Sequence, residues 1–140
     1  MSANLDLVRS IVVPWERGDF FSSPEWADPE IEFVLADGPD PGSWTGLAAM
    51  SAATLERISA WEGYRFEVEE LRGLDGDRVL VLTRRSGRGR TSGLEVGQFQ
   101  TTKGAWVFHV RNGRVARLVG YFDRDRALAD LGLAPEGDPA

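Results

Sequence analysis

The sequence predicts a single α+β domain in which amphipathic helices lie on an antiparallel sheet, and three observations predict it. The first is the stretch from Phe108 to Asp123, where Asn112-Gly113 separates two runs rich in β-branched and aromatic residues. That dipeptide suits the two-residue type I′ turn of a hairpin, and its flanks suit a pleated surface. The second is the recurrence of apolar residues at spacings of three and four in two early segments, the mark of a helix with one buried stripe. The third is a change of period to two from Tyr64 onward, the mark of strands.

The first helix begins near Ala3 and carries Leu5, Val8, Val12 and Trp15 on one stripe. Pro14 is expected to kink or tighten its last turn. Arg17-Gly18-Asp19 ends this helix and caps a short second one carrying Phe20, Phe21 and Trp26, since Gly suits the position after a helix and Asp the one before it. Ile31, Phe33 and Leu35 alternate with Glu32 and Val34 in a short strand. Residues 36–43, Ala-Asp-Gly-Pro-Asp-Pro-Gly-Ser, are too rich in breakers to be other than a loop, placed to form a lip.

Leu47, Met50, Thr54, Ile58 and Trp61 define the main helix, with Thr45 as its cap and Gly63 as its stop. Tyr64, Phe66 and Val68 then face one way and Arg65, Glu67 and Glu69 the other, up to a turn near Asp75-Gly76. Residues 78–85 return as a strand, and Val79-Leu-Val-Leu82 is apolar on both faces, as expected of a strand covered on both sides. A turn at residues 86–89 leads to strands near 91–101 and 105–111, and the last hairpin strand is 114–122. Asp123 is placed to cap a closing helix through Leu131. Residues 1–133 form the domain and 134–140 a flexible tail.

At 140 residues, 42% of them hydrophobic and 27% charged, the chain has the composition of one globular domain with a real core. A formal charge of -6 gives a surface that repels phosphate backbones, which argues against nucleic acid as a partner. The absence of Cys excludes disulfides, thiolate metal sites and a cysteine nucleophile, and fits a reducing cytoplasm. No basic stretch leads into an apolar run at the N-terminus, and no segment approaches the ~20 apolar residues of a spanning helix, so no membrane is expected.

Four motifs stand in order along the chain: Trp15-Glu-Arg-Gly-Asp19, then Gly46 opening the main helix, then Arg88-Gly-Arg-Thr-Ser-Gly93, then Arg111-Asn-Gly-Arg-Val-Ala-Arg-Leu118 followed by Tyr121-Phe-Asp-Arg124. With them, from Leu5 to Leu133, the chain resembles the SnoaL-like branch of the nuclear transport factor 2-like superfamily. The resemblance implies a cone-shaped, cystatin-like roll, a curved antiparallel sheet wrapped around three N-terminal and central helices. It also implies an apolar pocket inside the cone and often a homodimer across the outer face of the sheet. It implies no one reaction, because the same fold hosts isomerases, cyclases, epoxide hydrolases, dehydratases and non-catalytic binders. Where the superfamily's ketosteroid isomerases carry a Tyr, a general-base Asp and a second acid, this chain has Ile11, Val34 and Ala105. Arg84 matches the Arg of the epoxide hydrolases, without a carboxylate on each side, and no acid is found to match that of the cyclase pocket.

Alternation along 105–111 puts Ala105, Val107 and His109 on one face and Trp106, Phe108 and Val110 on the other. With Ala105 toward the cavity, His109 faces it too, and this sole His is the general-base candidate, the alternative being a hydrogen-bonded rim histidine. Arg84, on the face of Leu80 and Leu82, offers a planar fork for a carboxylate or phenolate; the alternative is an ion pair with Glu67, Glu69 or Glu95. Tyr121 completes the candidate catalytic set. Trp15, Trp44, Leu82, Val107, Leu118 and Phe122 are expected to line the ligand pocket, with Trp61 in the core and Gly120 leaving room on the inner face.

Trp106, Phe108 and Tyr121, read as outward, make an apolar patch that predicts a homodimer. Arg85, Arg88 and Arg90 lack a phosphate-loop pattern and read as a solvated turn, and the Asp-Gly loops at 37–40 and 75–77 read as turns, so neither metal nor cofactor is expected. The functional expectation is a pocket protein for a small apolar or aromatic, cyclic molecule, with isomerisation, cyclisation or hydration as candidate reactions. The alternative is a non-catalytic, dimeric ligand-binding or interaction module.

Overall fold

The stripe of Val8, Val12 and Trp15 becomes the buried side of helix α1 (Ala3–Glu16), joined there by Ile11. Pro14 lies inside the helix, and the chain leaves it tightly, with the N–H groups of Arg17 and Asp19 both donating to the Pro14 carbonyl at 3.0 Å. The structure is a computed structural model that describes residues 3–19, 24–37, 41–59, 61–91 and 95–133. A single turn of 3₁₀ helix at Pro24–Trp26 leads into β1 (Ala27–Leu35), β2 (Gly42–Thr45), α2 (Leu47–Ser59), β3 (Trp61–Gly73), β4 (Arg78–Thr91), β5 (Glu95–Arg111), β6 (Arg114–Tyr121) and α3 (Arg124–Asp130). The expected helix around Phe20 and Phe21 and the tail at 134–140 lie outside the described residues.

The strands form one curved, unclosed sheet in the order β2-β1-β6-β5-β4-β3. Neighbours run antiparallel except β1 and β6, which are parallel. This is the α+β cone read from the sequence. The β5–β6 turn has Asn112 at φ 54° and Gly113 at φ 76°, the pair of left-handed residues a type I′ turn requires. Asp123 caps α3 as expected, its carboxylate accepting from the Asp125 N–H at 3.0 Å.

Several boundaries differ from the sequence reading. Residues 42–45, read from the sequence as the end of the loop at 36–43 and the approach to a cap at Thr45, pair with β1 as an edge strand, from Glu32 opposite Thr45 to Leu35 opposite Gly42. Four residues at an edge tolerate the flanking breakers, because only one side of the strand must donate. Gly46 rather than Thr45 precedes α2, its carbonyl accepting from the Met50 N–H at 3.0 Å. Trp61 opens β3 instead of closing the helix, and Gly63, expected as the helix stop, sits at φ 67° where the β3–β4 register slips between Glu62 and Arg65. No turn forms at 86–89: β4 continues to Thr91 and β5 is one strand of 17 residues. The side chains of Trp61, Arg88 and Arg90 lie outside the described residues.

Both faces of the sheet are buried. On the concave side, α1 and α2 cover Ile31, Phe33, Phe66, Val79, Val81, Trp106, Phe108, Val115 and Leu118. On the convex side, Ala127 and Leu128 of α3 cover Leu80, Leu82, Ala105, Val107 and Val119. The alternation along β5 is therefore as read, but its sense is inverted. Trp106 and Phe108, assigned to an outward dimer patch, are 4% and 0% exposed inside the cone, so they cannot form that interface. The third member, Tyr121, is half-buried against α3, and its hydroxyl donates to Asp130 at 3.2 Å.

Candidate functional site

The concave face is organised around aromatic rings. Trp15 reaches down from α1 and meets Phe66, Trp106 and Phe108 at centroid distances of 5.8, 6.2 and 5.9 Å. Phe33 stacks on Trp106 at 5.9 Å and touches Trp44 at 5.8 Å. Gly120 makes this layer possible: it stands opposite Trp106 across β5 and β6, and a Cβ there would lie 2.5 Å from the indole. Its lack of a side chain is thus a space requirement of Trp106, and the room expected on the inner face is taken by the indole.

Along β4 the same face continues from Val79 and Val81 to Thr83 and then Arg85. Arg85 is 7% exposed, and its guanidinium lies over the Phe122 ring, 4.2 Å from the centroid. It donates through Nη2 to the Phe122 carbonyl at 3.1 Å. Gly104 supplies the seat for it, since a Cβ on Gly104 would fall 2.9 Å from Nη2. Thr83, opposite Gly104, is fully buried, and among the described residues no group hydrogen-bonds its Oγ1. Asp37 fixes the neighbouring chain by accepting from the Phe122 N–H at 2.5 Å and the Asp123 N–H at 3.2 Å. A cationic fork, a buried hydroxyl and aromatic walls thus share one face.

The residues named from the sequence divide between the two faces. Trp15 and Leu118 are buried within the concave cluster, Trp44 packs against it, and Phe122 lies under Arg85. Leu82 and Val107 are on the convex side beneath α3. Arg84 is exposed there, opposite Glu67 on β3 and Lys103 on β5. His109 is half-buried on the convex side, between Arg78 and Arg117 on the flanking strands, in a surface hollow of about 690 Å³ that Glu32, Asp77 and Arg117 also line. Arg84 and His109 stand six β5 residues apart by register, roughly 20 Å at the rise of a strand. His109, Arg84 and Tyr121 therefore do not converge on one site. The residues that the sequence reading missed are Arg85 and Thr83.

Burial, then the Arg117 and Arg78 guanidinium groups, lower the pKa of His109, while Asp75 and Glu32 oppose them weakly. A histidine held neutral in this way is not pre-charged as a general acid. Burial and Asp130 raise the pKa of Tyr121, so its phenol is not prepared as a base either. Because the fold disfavours the protonated imidazole, the unfolded chain takes up that proton first as the pH falls. The wild type should then lose stability as the pH drops from about 6.5 through the lower folded value. His109→Gln should lack that part of the slope in urea denaturation at several pH values; the same slope in both proteins would refute the assignment.

Among the described residues, no group of three or more His, Asp and Glu side chains is arranged to hold a metal ion. No described helix is long and apolar enough to cross a membrane.

A concave sheet packed on two helices and backed by a third defines the class, the nuclear transport factor 2-like fold. The profile of the SnoaL-like domain matches residues 8–118, and the chain belongs to that family. Among solved structures it resembles a nuclear transport factor 2-like protein from Burkholderia thailandensis E264, with TM-score 0.75 and 22% identity over 96% of this chain and 100% of that one. It also resembles a candidate polyketide cyclase from Xanthomonas campestris pv. campestris, with TM-score 0.66 and 25% identity over 90% and 94% of the two chains. The protein TerC, co-crystallised with polyporic acid, superposes with TM-score 0.70 and 21% identity over 93% and 98%. No curated protein sequence matches the chain.

Proposed function

We propose that this SnoaL-like protein binds a small, apolar, cyclic molecule against the concave face, at the end of the aromatic layer bounded by Phe66, Trp106 and Phe122. The observation that carries the reading is the buried Arg85 stacked on Phe122 beside the buried Thr83, polar groups set among the aromatic rings of the concave face. Ligand sites of this kind combine apolar walls with a few convergent polar groups that fix orientation. The candidate polyketide cyclase and the TerC complex among similar folds support a small-molecule ligand.

Binding without catalysis is the reading favoured over isomerisation, cyclisation or hydration by His109, Arg84 or Tyr121. Its support is that all three lie on the convex face, and that indoles of the chain itself fill the cone beneath α1. If the protein dimerises, as the sequence suggested, it does so through a surface other than Trp106 and Phe108.

The neutral fused-ring compound 2-naphthamide serves as the probe. Titration calorimetry should show saturable binding with a negative heat-capacity change, the signature of apolar burial. Amide resonances of residues around Phe66 and Trp106 should shift in NMR spectra. No binding, or shifts confined to the hollow around His109, would contradict the reading.

A further inference from the structure

We propose that the cleft between α1, the 3₁₀ turn and the β5–β6 turn is a second binding site, one that takes a free α-amino acid with an aromatic side chain. This site is separate from the concave face, and neither reading depends on the other. Two separate features support it.

The first is the shape of the cleft. It is an open cavity of about 400 Å³, floored by Leu7, Ile11 and Pro14 of α1 and walled by Trp15 and Trp26. That volume falls in the range of small-molecule sites. The two indoles stand 6.0 Å apart at 70° and so form a corner, and Trp26 is only half-buried. A planar ring entering the corner can adopt the stacked and edge-on contacts that aromatic rings favour.

The second is the charge on the rim. Asp19, Glu25 and Arg114 all line the cleft. Glu25 and Arg114 are exposed, and among the described residues neither side chain forms a hydrogen bond or an ion pair, with each other or with a neighbour. Opposite charges are thus held over one apolar floor without neutralising each other. The acidic side is reinforced by α1, whose C-terminal end reaches the cleft at Pro14 and Trp15 with no basic residue in its last turn. A helix end of that sign favours a cation. The matching ligand carries an ammonium for Glu25, a carboxylate for the planar fork of Arg114 and a ring for Trp26. An aromatic amino acid joins these three groups in one small frame, whereas an aromatic amine lacks the anion and an aromatic acid lacks the cation.

The test uses three probes that share one indole ring, by calorimetry at pH 7.5. They are L-tryptophan, tryptamine, which lacks the carboxylate, and indole-3-propionate, which lacks the ammonium. The wild type should bind L-tryptophan about fivefold tighter than either of the others, the upper end of what an exposed ion pair contributes. Glu25→Gln should remove the advantage over indole-3-propionate and leave the affinity for indole-3-propionate itself unchanged. Arg114→Gln should do the same with respect to tryptamine. Both positions are exposed, so neither change threatens the fold. Equal affinity of the wild type for the three probes, or no saturable binding of L-tryptophan at millimolar concentration, would overturn the site, as would variants that keep the full wild-type preference. The response of Phe66 and Trp106 to 2-naphthamide tests the concave face alone, so the two readings can fail separately.

Discussion

Trp106→Ala is expected to lower the unfolding free energy by about 3–5 kcal/mol, the usual cost of emptying a large aromatic from a core. The indole is 4% exposed, stacks on Phe33, meets Trp15 edge-on and fills the space opposite Gly120. Alanine would remove partners from three elements at once, and no neighbouring side chain can collapse into the gap from Gly120. Guanidinium chloride unfolding measures the effect. If Trp106 instead pointed outward, as its strand pattern first suggested, the change would fall within about 0.5 kcal/mol. The reciprocal Gly120→Ala should also destabilise, by about 1–3 kcal/mol, because its methyl would be forced into the indole.

The second large effect is expected at Arg124→Met, about 3 kcal/mol or more, the range found when one partner of a buried charge pair is removed. Arg124 is 4% exposed at the start of α3, and its guanidinium gathers the Thr83 and Gly104 carbonyls and the Glu69 carboxylate, the last at 2.6 Å. It fastens α3 to three strands. Glu69, whose side chain is 34% exposed, keeps access to water, so Glu69→Gln should cost much less than Arg124→Met. The hydrogen bond from Arg124 holds the Glu69 carboxyl below the usual glutamate range. The folded pKa is depressed, so this contribution is complete above the ordinary carboxylate pKa and is lost as the pH falls through the folded value. Arg124→Met should therefore flatten the acid limb of the stability profile, and an unchanged limb in thermal melts would show that the pair is not coupled to folding.

What the sequence disclosed follows from where a physical signal has a sign. The hairpin at Asn112-Gly113 and the cap at Asp123 were legible because a type I′ turn and an N-terminal cap each demand particular residues. The stripe of α1 was legible because its other side is polar. The faces of β5 were separable but not orientable. Ala105 and Val107 are as apolar as Trp106 and Phe108, since α3 buries one set and α1 the other, and a strand covered on both sides carries no polar face to mark the outside. One choice of sense then decided the rest. With Ala105 taken as inward, His109 and Arg84 followed it to the wrong side, and Arg85 was left in a turn.

A strand position is one residue wide, and moving by one reverses the face. Arg84 and Arg85 are adjacent arginines with opposite fates, one exposed beside Glu67 and the other stacked on Phe122. Nothing in their local sequence separates them. Gly104 offered an indirect sign, since a glycine in a long strand marks a place where something approaches the backbone closely, and here that is the Arg85 guanidinium. Gly63 misled for a related reason: its left-handed backbone suits a bulge as well as a helix end.

The central claim is that the working face of this protein is the concave one, carrying Arg85 and Thr83, and not the convex one carrying His109. A crystal soaked with 2-naphthamide tests it most directly. The account predicts density for the naphthalene ring on the concave face, against Phe66 or Phe122. Density seated beside His109 and Arg117, with the concave face unchanged, would contradict it.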